Sequence, residues 1–116
     1  MSHRLGPAAR LRSRAEFTVV QTNGRRVAGR FLTLLGRPNA LGRDRLGIIA
    51  SKRVGNAVNR NRAKRRMREI FRRDVLPAGG GTLDLVVVVR PELVRAPFLA
   101  VTADFLAALK KLRAAR

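Results

Sequence analysis

Between Arg45 and Arg68 the chain carries nine positive side chains and no carboxylate: Arg45, Lys52, Arg53, Arg60, Arg62, Lys64, Arg65, Arg66 and Arg68. Cations crowded in this way repel one another unless an anion neutralises them, and a guanidinium can fork onto a phosphate through two parallel hydrogen bonds. The chemistry these residue types could do is phosphate binding along a polyanion. Bond cleavage by the polypeptide itself is disfavoured. A protein ribonuclease needs a positioned acid–base pair or a carboxylate cluster for a metal ion. The seven acids, Glu16, Asp44, Glu69, Asp74, Asp84, Glu92 and Asp104, are scattered singly, and His3 is the only histidine. Gly79-Gly80-Gly81 lacks the Lys-Ser/Thr that completes a nucleotide-binding loop.

The element that must hold these cations is a helix. From Asn56 to Arg73, Ala63, Met67, Ile70 and Phe71 recur at i, i+4, i+7 and i+8 and form one apolar face. Asn61, Arg65, Arg68 and Arg72 fall opposite that face. Arg62, Arg66 and Arg73 occupy one flank, with Glu69 among them, and Arg60 and Lys64 the other. A merely solvated helix face pairs acids with bases four residues apart, and here the acids are missing. Just before it, Ser51 to Val58 passes through a glycine turn at Gly55, and the free amides of the helix start add a second phosphate-binding feature.

The rest of the chain reads as a scaffold for that helix. Residues 1–12, with Arg4, Arg10 and Arg12 and no acid, suggest an extended, flexible basic arm, and residues 13–116 a single domain. Ser13 to Glu16 has the spacing of a capping box, so a first helix starts there, and Asn23-Gly24 suggests a left-handed stop. Phe31 to Leu35 reads as a strand closed by a Gly36-Arg37-Pro38-Asn39 turn, and Leu46 to Ala50 as a second strand. Pro77 to Gly81 breaks the chain again. Leu85 to Val89 is apolar at every position, which suits an interior strand covered on both faces. Pro97 suits the first turn of a last helix with a stripe of Phe98, Val101, Phe105, Leu109 and Leu112. The predicted order is helix, two strands with a third split from them, helix, strand, helix.

Composition agrees with a small folded polyanion binder. At 116 residues and 46% hydrophobic content the chain can bury one core, while its net charge of +19 opposes compaction unless a polyanion is bound. Of the 26 cations, 22 are Arg and 4 are Lys. No stretch approaches the roughly 20 apolar residues of a membrane span, and no apolar signal run begins the chain, so a cytoplasmic protein is expected. The absence of Cys excludes disulfides and thiolate metal sites.

The string Ser51-Lys52-Arg53-Val54-Gly55-Asn56-Ala57-Val58-Asn59-Arg60-Asn61-Arg62-Ala63-Lys64-Arg65 resembles the signature of the bacterial ribonuclease P protein component, including its Arg-Asn-Arg core. Looser resemblance extends over Glu16-Phe17 before a helix ending at Gly24, Asp84 in an apolar strand ending at Arg90-Pro91, and the last helix. The resemblance implies an α/β (α+β) two-layer sandwich of order αβββαβα, with a central, mostly antiparallel sheet, flanking helices and a left-handed βαβ crossover. It implies that Lys52, Arg53, Asn56, Arg60, Asn61, Arg62, Lys64, Arg65 and Arg68 bind the catalytic RNA subunit. It further implies that a cleft between the sheet and the first helix holds the 5′ leader of precursor tRNA, with Phe17, Gln21, Leu35 and Arg90 at the matching positions. Hydrolysis would belong to the RNA, with Mg²⁺ held mainly there, and no membrane or obligate protein partner is implied. Gln21 and Leu35 stand where the family often has aromatics, which implies weaker base stacking and more reliance on Arg. On residue type alone, Phe17 reads more readily as a core side chain. A ribosomal protein or RNA chaperone would share the charge but not the string from Ser51 to Arg65; a DNA-binding module would show duplex selectivity instead.

Overall fold

The computed structural model of the protein describes residues 5–79 and 81–114. Its regular elements are α1 (Arg14–Asn23), β1 (Arg25–Ala28), β2 (Leu32–Pro38), β3 (Arg45–Ile49), α2 (Ala57–Ile70), β4 (Leu83–Val89) and α3 (Phe98–Ala114). The capping box forms as predicted. The Ser13 Oγ accepts the Glu16 N–H at 3.2 Å, and the Glu16 carboxylate accepts the Ser13 N–H at 3.0 Å. The end of α1 differs from expectation, because Gly24 has φ −80° and is not left-handed. Glycine is needed there for closeness: a Cβ would lie 2.4 Å from the Val20 carbonyl oxygen and 2.9 Å from that of Gly36.

The strands form one sheet in the order β1-β2-β4-β3. β1 pairs with β2 and β2 with β4 antiparallel, whereas β3 and β4 are parallel and joined through α2. β4 is thus interior, and its unbroken apolar run serves both faces: Leu85, Val87 and Val89 point into one core, Val86 into another. On the first face α2 contributes Ala63, Met67 and Ile70, the π-helical turn that follows it (Phe71–Val75) contributes Phe71, and α3 contributes Val101, Phe105, Leu109 and Leu112, against Leu32, Leu34 and Leu46 of the sheet. On the other face, among the described residues, α1 and the segment before it pack, burying Val20 and Leu11 with Leu35 and Val86.

Two sequence expectations are corrected. β2 does not stop at Leu35 but runs through Gly36 and Arg37 to Pro38, and the turn comes at Asn39, whose Oδ1 accepts the Leu41 N–H at 3.0 Å. Gly36 looked like a turn signal, yet its bare Cα admits Leu112 of α3, whose Cδ2 would lie 2.3 Å from an added Cβ. The extended arm is also replaced, over residues 5–12, by packed chain: Leu5, Ala9 and Leu11 are buried, and the Leu11 N–H bonds the Leu46 carbonyl beside β3 at 3.0 Å. Their apolar side chains outweigh the charges that suggested an arm. Residues 1–4, including His3, lie outside the described residues.

Candidate nucleic-acid interface

A short helical turn, Lys52–Val54, leads from β3 to α2. The Ser51 Oγ accepts the Arg53 N–H at 3.3 Å, and Gly55 then takes φ +138°, a conformation that side chains strain to adopt. Asn56 caps α2, its Oδ1 accepting the Asn59 N–H at 2.9 Å, so half of this predicted RNA-binding amide is engaged in starting the helix. The apolar stripe then turns the cations outward. Lys52, Arg53, Asn61, Arg62 and Arg65 are exposed, while Arg60, Lys64 and Arg68 are half-buried. Arg66, also half-buried, is turned to the backbone, its Nη1 donating to the Ala96 carbonyl at 3.0 Å. Arg72 pairs with Glu69.

The half-buried flank of α2 is continuous with α1. Lys64 and Arg68 line a pocket of about 90 Å³ together with Arg10, Phe17 and Gly47. Burial, and then the nearby Arg10 guanidinium, lower the pKa of Arg68 from its ordinary value. Arg10 was not singled out from the sequence, because its approach to Arg68 depends on the docking of residues 5–12. Phe17 is half-buried, and its ring rests against Gly47 of β3, which has no Cβ; an added one would come within 2.6 Å of the ring.

An ionic lattice fixes α1 over this spot. Arg45 donates to Asp84 through Nε and Nη2 and to Glu16 through Nη1, each at 2.8 Å, and the Asn39 amide adds a third bond to Asp84 at 2.8 Å. The Ser13 and Arg12 N–H groups, with Arg45 in support, hold the Glu16 carboxyl at about 2. Burial would raise the pKa of Asp84, but the donors of Arg45 and Asn39 outweigh it and lower it below the ordinary value, while Asp84 raises that of Arg45. Asp84, read from sequence as structural, has that role.

Beyond α1 no further helix covers the second face among the described residues, where Ala28 is exposed, Ile49 and Val88 are half-buried and Thr33 is buried. Ile49, Val88, Thr33 and Ala28 are register partners across all four strands and form one row on this face. The Arg90 guanidinium reaches back onto it, with Nη2 at 3.4 Å from the Thr33 hydroxyl. Of the four predicted cleft residues, Phe17 and Arg90 border this row and Gln21 is exposed on α1, but Leu35 lies beneath α1, only 6% exposed. The row itself was missed in the sequence; the alternation of β4 placed Val86 and Val88 on one face, and only the cross-strand register supplies the remaining members.

Five of the seven acids are committed to partners of their own. Glu16 and Asp84 bind Arg45, Glu69 binds Arg72, Asp44 binds Arg113, and Asp104 accepts the N–H groups of Arg30 and Phe31. Among the described residues no group of three or more His, Asp or Glu could hold a metal ion, and no helix is long and apolar enough to cross a membrane.

Comparison with known proteins agrees with this geometry. The family model described as Ribonuclease P matches residues 5–113. The ribonuclease P protein component of Chloroflexus aggregans is 40% identical over 105 residues, covering 90% of this chain and 77% of the relative. That of Syntrophomonas wolfei is 36% identical over 107 residues, covering 92% and 89%. The solved structure of the Thermotoga maritima ribonuclease P protein superposes with a TM-score of 0.80 at 34% identity, covering 88% of this chain and 96% of that one. The Staphylococcus aureus protein gives 0.75 at 30% identity, covering 88% and 93%. Matching over nearly its whole length in sequence and in fold, the chain belongs to the ribonuclease P protein family.

Proposed function

We propose that this chain is the subunit that binds the catalytic RNA of ribonuclease P and the 5′ leader of precursor tRNA, assisting removal of that leader to make the mature tRNA 5′ end. One observation carries the reading: the cationic outer surface of α2 continues, through Lys64, Arg68 and Phe17, onto the second face of the sheet, where Phe17 packs with Ile49 and Val88. The exposed side of α2, with Lys52, Arg53, Asn61, Arg62 and Arg65, is the surface for the RNA subunit. The row from Ile49 to Ala28, bounded by Phe17 and Arg90, is the path of the single-stranded leader. Partly exposed apolar side chains edged by guanidinium groups suit unpaired bases and their phosphates.

In this reading the RNA carries out the hydrolysis with Mg²⁺ held mainly by its own phosphates. The dispersed carboxylates of the chain, each engaged with a cation or a backbone amide where described above, fit that division of labour. The protein holds the leader straight and neutralises phosphates where two RNAs meet. The test is reconstitution: the purified chain, added to a bacterial ribonuclease P RNA at low Mg²⁺, stimulates cleavage of precursor tRNA. Cleavage by the chain alone, or no stimulation of any such RNA, overturns the reading. Within it, Phe17→Ala impairs cleavage of substrates with leaders and spares leaderless RNA.

A further inference from the structure

Residues 5–12 bring a third cation beside Lys64 and Arg68 of α2. A short helical turn, Pro7–Ala9, precedes Arg10, whose N–H bonds the Pro7 carbonyl at 3.3 Å. Its neighbours Ala9 and Leu11 are buried, Arg10 makes a parallel bridge to Leu46 of β3, and the Arg43 Nε donates to the Ala8 carbonyl at 2.7 Å. The backbone is thus pinned on both sides of Arg10, whose side chain lines the pocket of about 90 Å³ with Lys64 and Arg68. We propose that these three side chains form one site for a single phosphodiester group of bound RNA, with Arg10 as a phosphate-contacting residue; this rests on the reading of α2 and the second face as RNA-binding surfaces.

Charge and burial name the occupant. All three cations are half-buried, no acid lines the pocket with them, and none of them pairs with a carboxylate among the described residues. The Arg10 Nε is shielded from water and has no acceptor, a donor that is costly to leave unmet. Burial, and then the charge of Arg10, lower the pKa of Arg68, as expected of like charges held together away from water. Such a group of cations opposes folding until an anion sits among them. A phosphodiester carries one negative charge, and its free oxygens accept from several donors at once. RNA reaches the pocket from either of the surfaces already described, because Lys64 and Arg68 lie on the flank of α2 and Phe17 of α1 forms another part of the wall. The site joins the two surfaces.

The test is a set of Arg10 variants measured in two arms: affinity for a bacterial ribonuclease P RNA alone, and affinity of the holoenzyme, assembled at saturating protein, for precursor tRNA. Arg10→Gln keeps most of the stem and removes the charge. It should weaken one arm about ten-fold, the loss expected for a hydrogen bond to a charged group. The thermal midpoint of the free protein should hold or rise, because a repulsion between cations has gone. Arg10→Lys, which keeps the charge without the planar fork, should recover part of the affinity. Combined with Arg68→Gln, Arg10→Gln should lose less than the product of the two single losses, since both cations act on one phosphate. Weakening in the first arm assigns the phosphate to the RNA subunit, and weakening in the second to the substrate. An Arg10→Gln protein that binds as the wild type does in both arms, with or without a lowered midpoint, overturns the site and leaves the function reading standing, as do losses that multiply in full. A wild-type chain that binds and stimulates no ribonuclease P RNA overturns both.

Discussion

The two faces of the sheet are built from alternate residues of the same strands and meet opposite fates. One face carries Leu32, Leu34, Leu46, Leu85 and Val87 under two helices, and these side chains are almost wholly out of water. The other carries Val86 and Leu35 under α1, then half-buried Ile49 and Val88, a buried Thr33 bonded by Arg90, and exposed Ala28. The difference teaches that one face suffices for folding. Apolar burial on the α2–α3 side holds the domain together, which frees the second face to remain uncovered and cationic at a cost in self-repulsion.

The sharpest way to break this comparison is to empty the covered face. Phe105→Ala should lower unfolding free energy by about 3–5 kcal/mol and Met67→Ala by about 2–5 kcal/mol, read by urea denaturation, since both side chains are fully buried. A loss below 1 kcal/mol would show that this face is not the principal core. Next in size is Gly47→Ala on the open side. The added methyl displaces the Phe17 ring, costing about 1–3 kcal/mol, and it should also reduce discrimination between substrates with and without a leader.

Glu16→Ala should cost about 1 kcal/mol at neutral pH by removing the carboxylate half of the capping box, which accepts the Arg12 and Ser13 N–H groups, and one partner of Arg45. The pH dependence has a definite sign. The folded-state pKa of Glu16 is lowered from 4.5 to about 2, so its contribution is complete above about 4.5 and disappears as pH falls towards 2. The gap between wild type and Glu16→Ala in denaturation midpoint should close over that interval; a gap that persists at pH 2 would put the effect elsewhere. The smallest effect on stability, within about 0.5 kcal/mol, is expected for Arg65→Ala on the exposed side of α2. There the loss is in binding: the slope of log affinity for the RNA against log salt should flatten by about 0.7–0.9 for the phosphate contact removed.

The parts of the fold that were legible in the sequence are those whose signal is local. The stripe of Ala63, Met67, Ile70 and Phe71, the Ser13–Glu16 box and the apolar run of β4 each declare themselves within a few turns of chain, and all three appear as expected. β1 was left without boundaries because its four residues, Arg25-Arg26-Val27-Ala28, carry little strand character and are held by pairing with β2. Gly24 and Gly36 were legible as special positions but not for their reason: each was read as punctuation, and each permits an approach by a segment distant in sequence or by backbone.

The candidate site divides in the same way. Sequence by itself determined that α2 is amphipathic and that its outer surface carries cations without acids, because helical period and charge sign are properties of neighbouring residues. Tertiary structure alone decided which cations remain free: Arg66 is drawn to the Ala96 carbonyl, Arg45 to Asp84 and Glu16, and Arg10 is brought beside Arg68. It also decided that Ile49, Val88, Thr33 and Ala28 line one row, since register between strands is set by the packing of the whole sheet and by no one stretch of it.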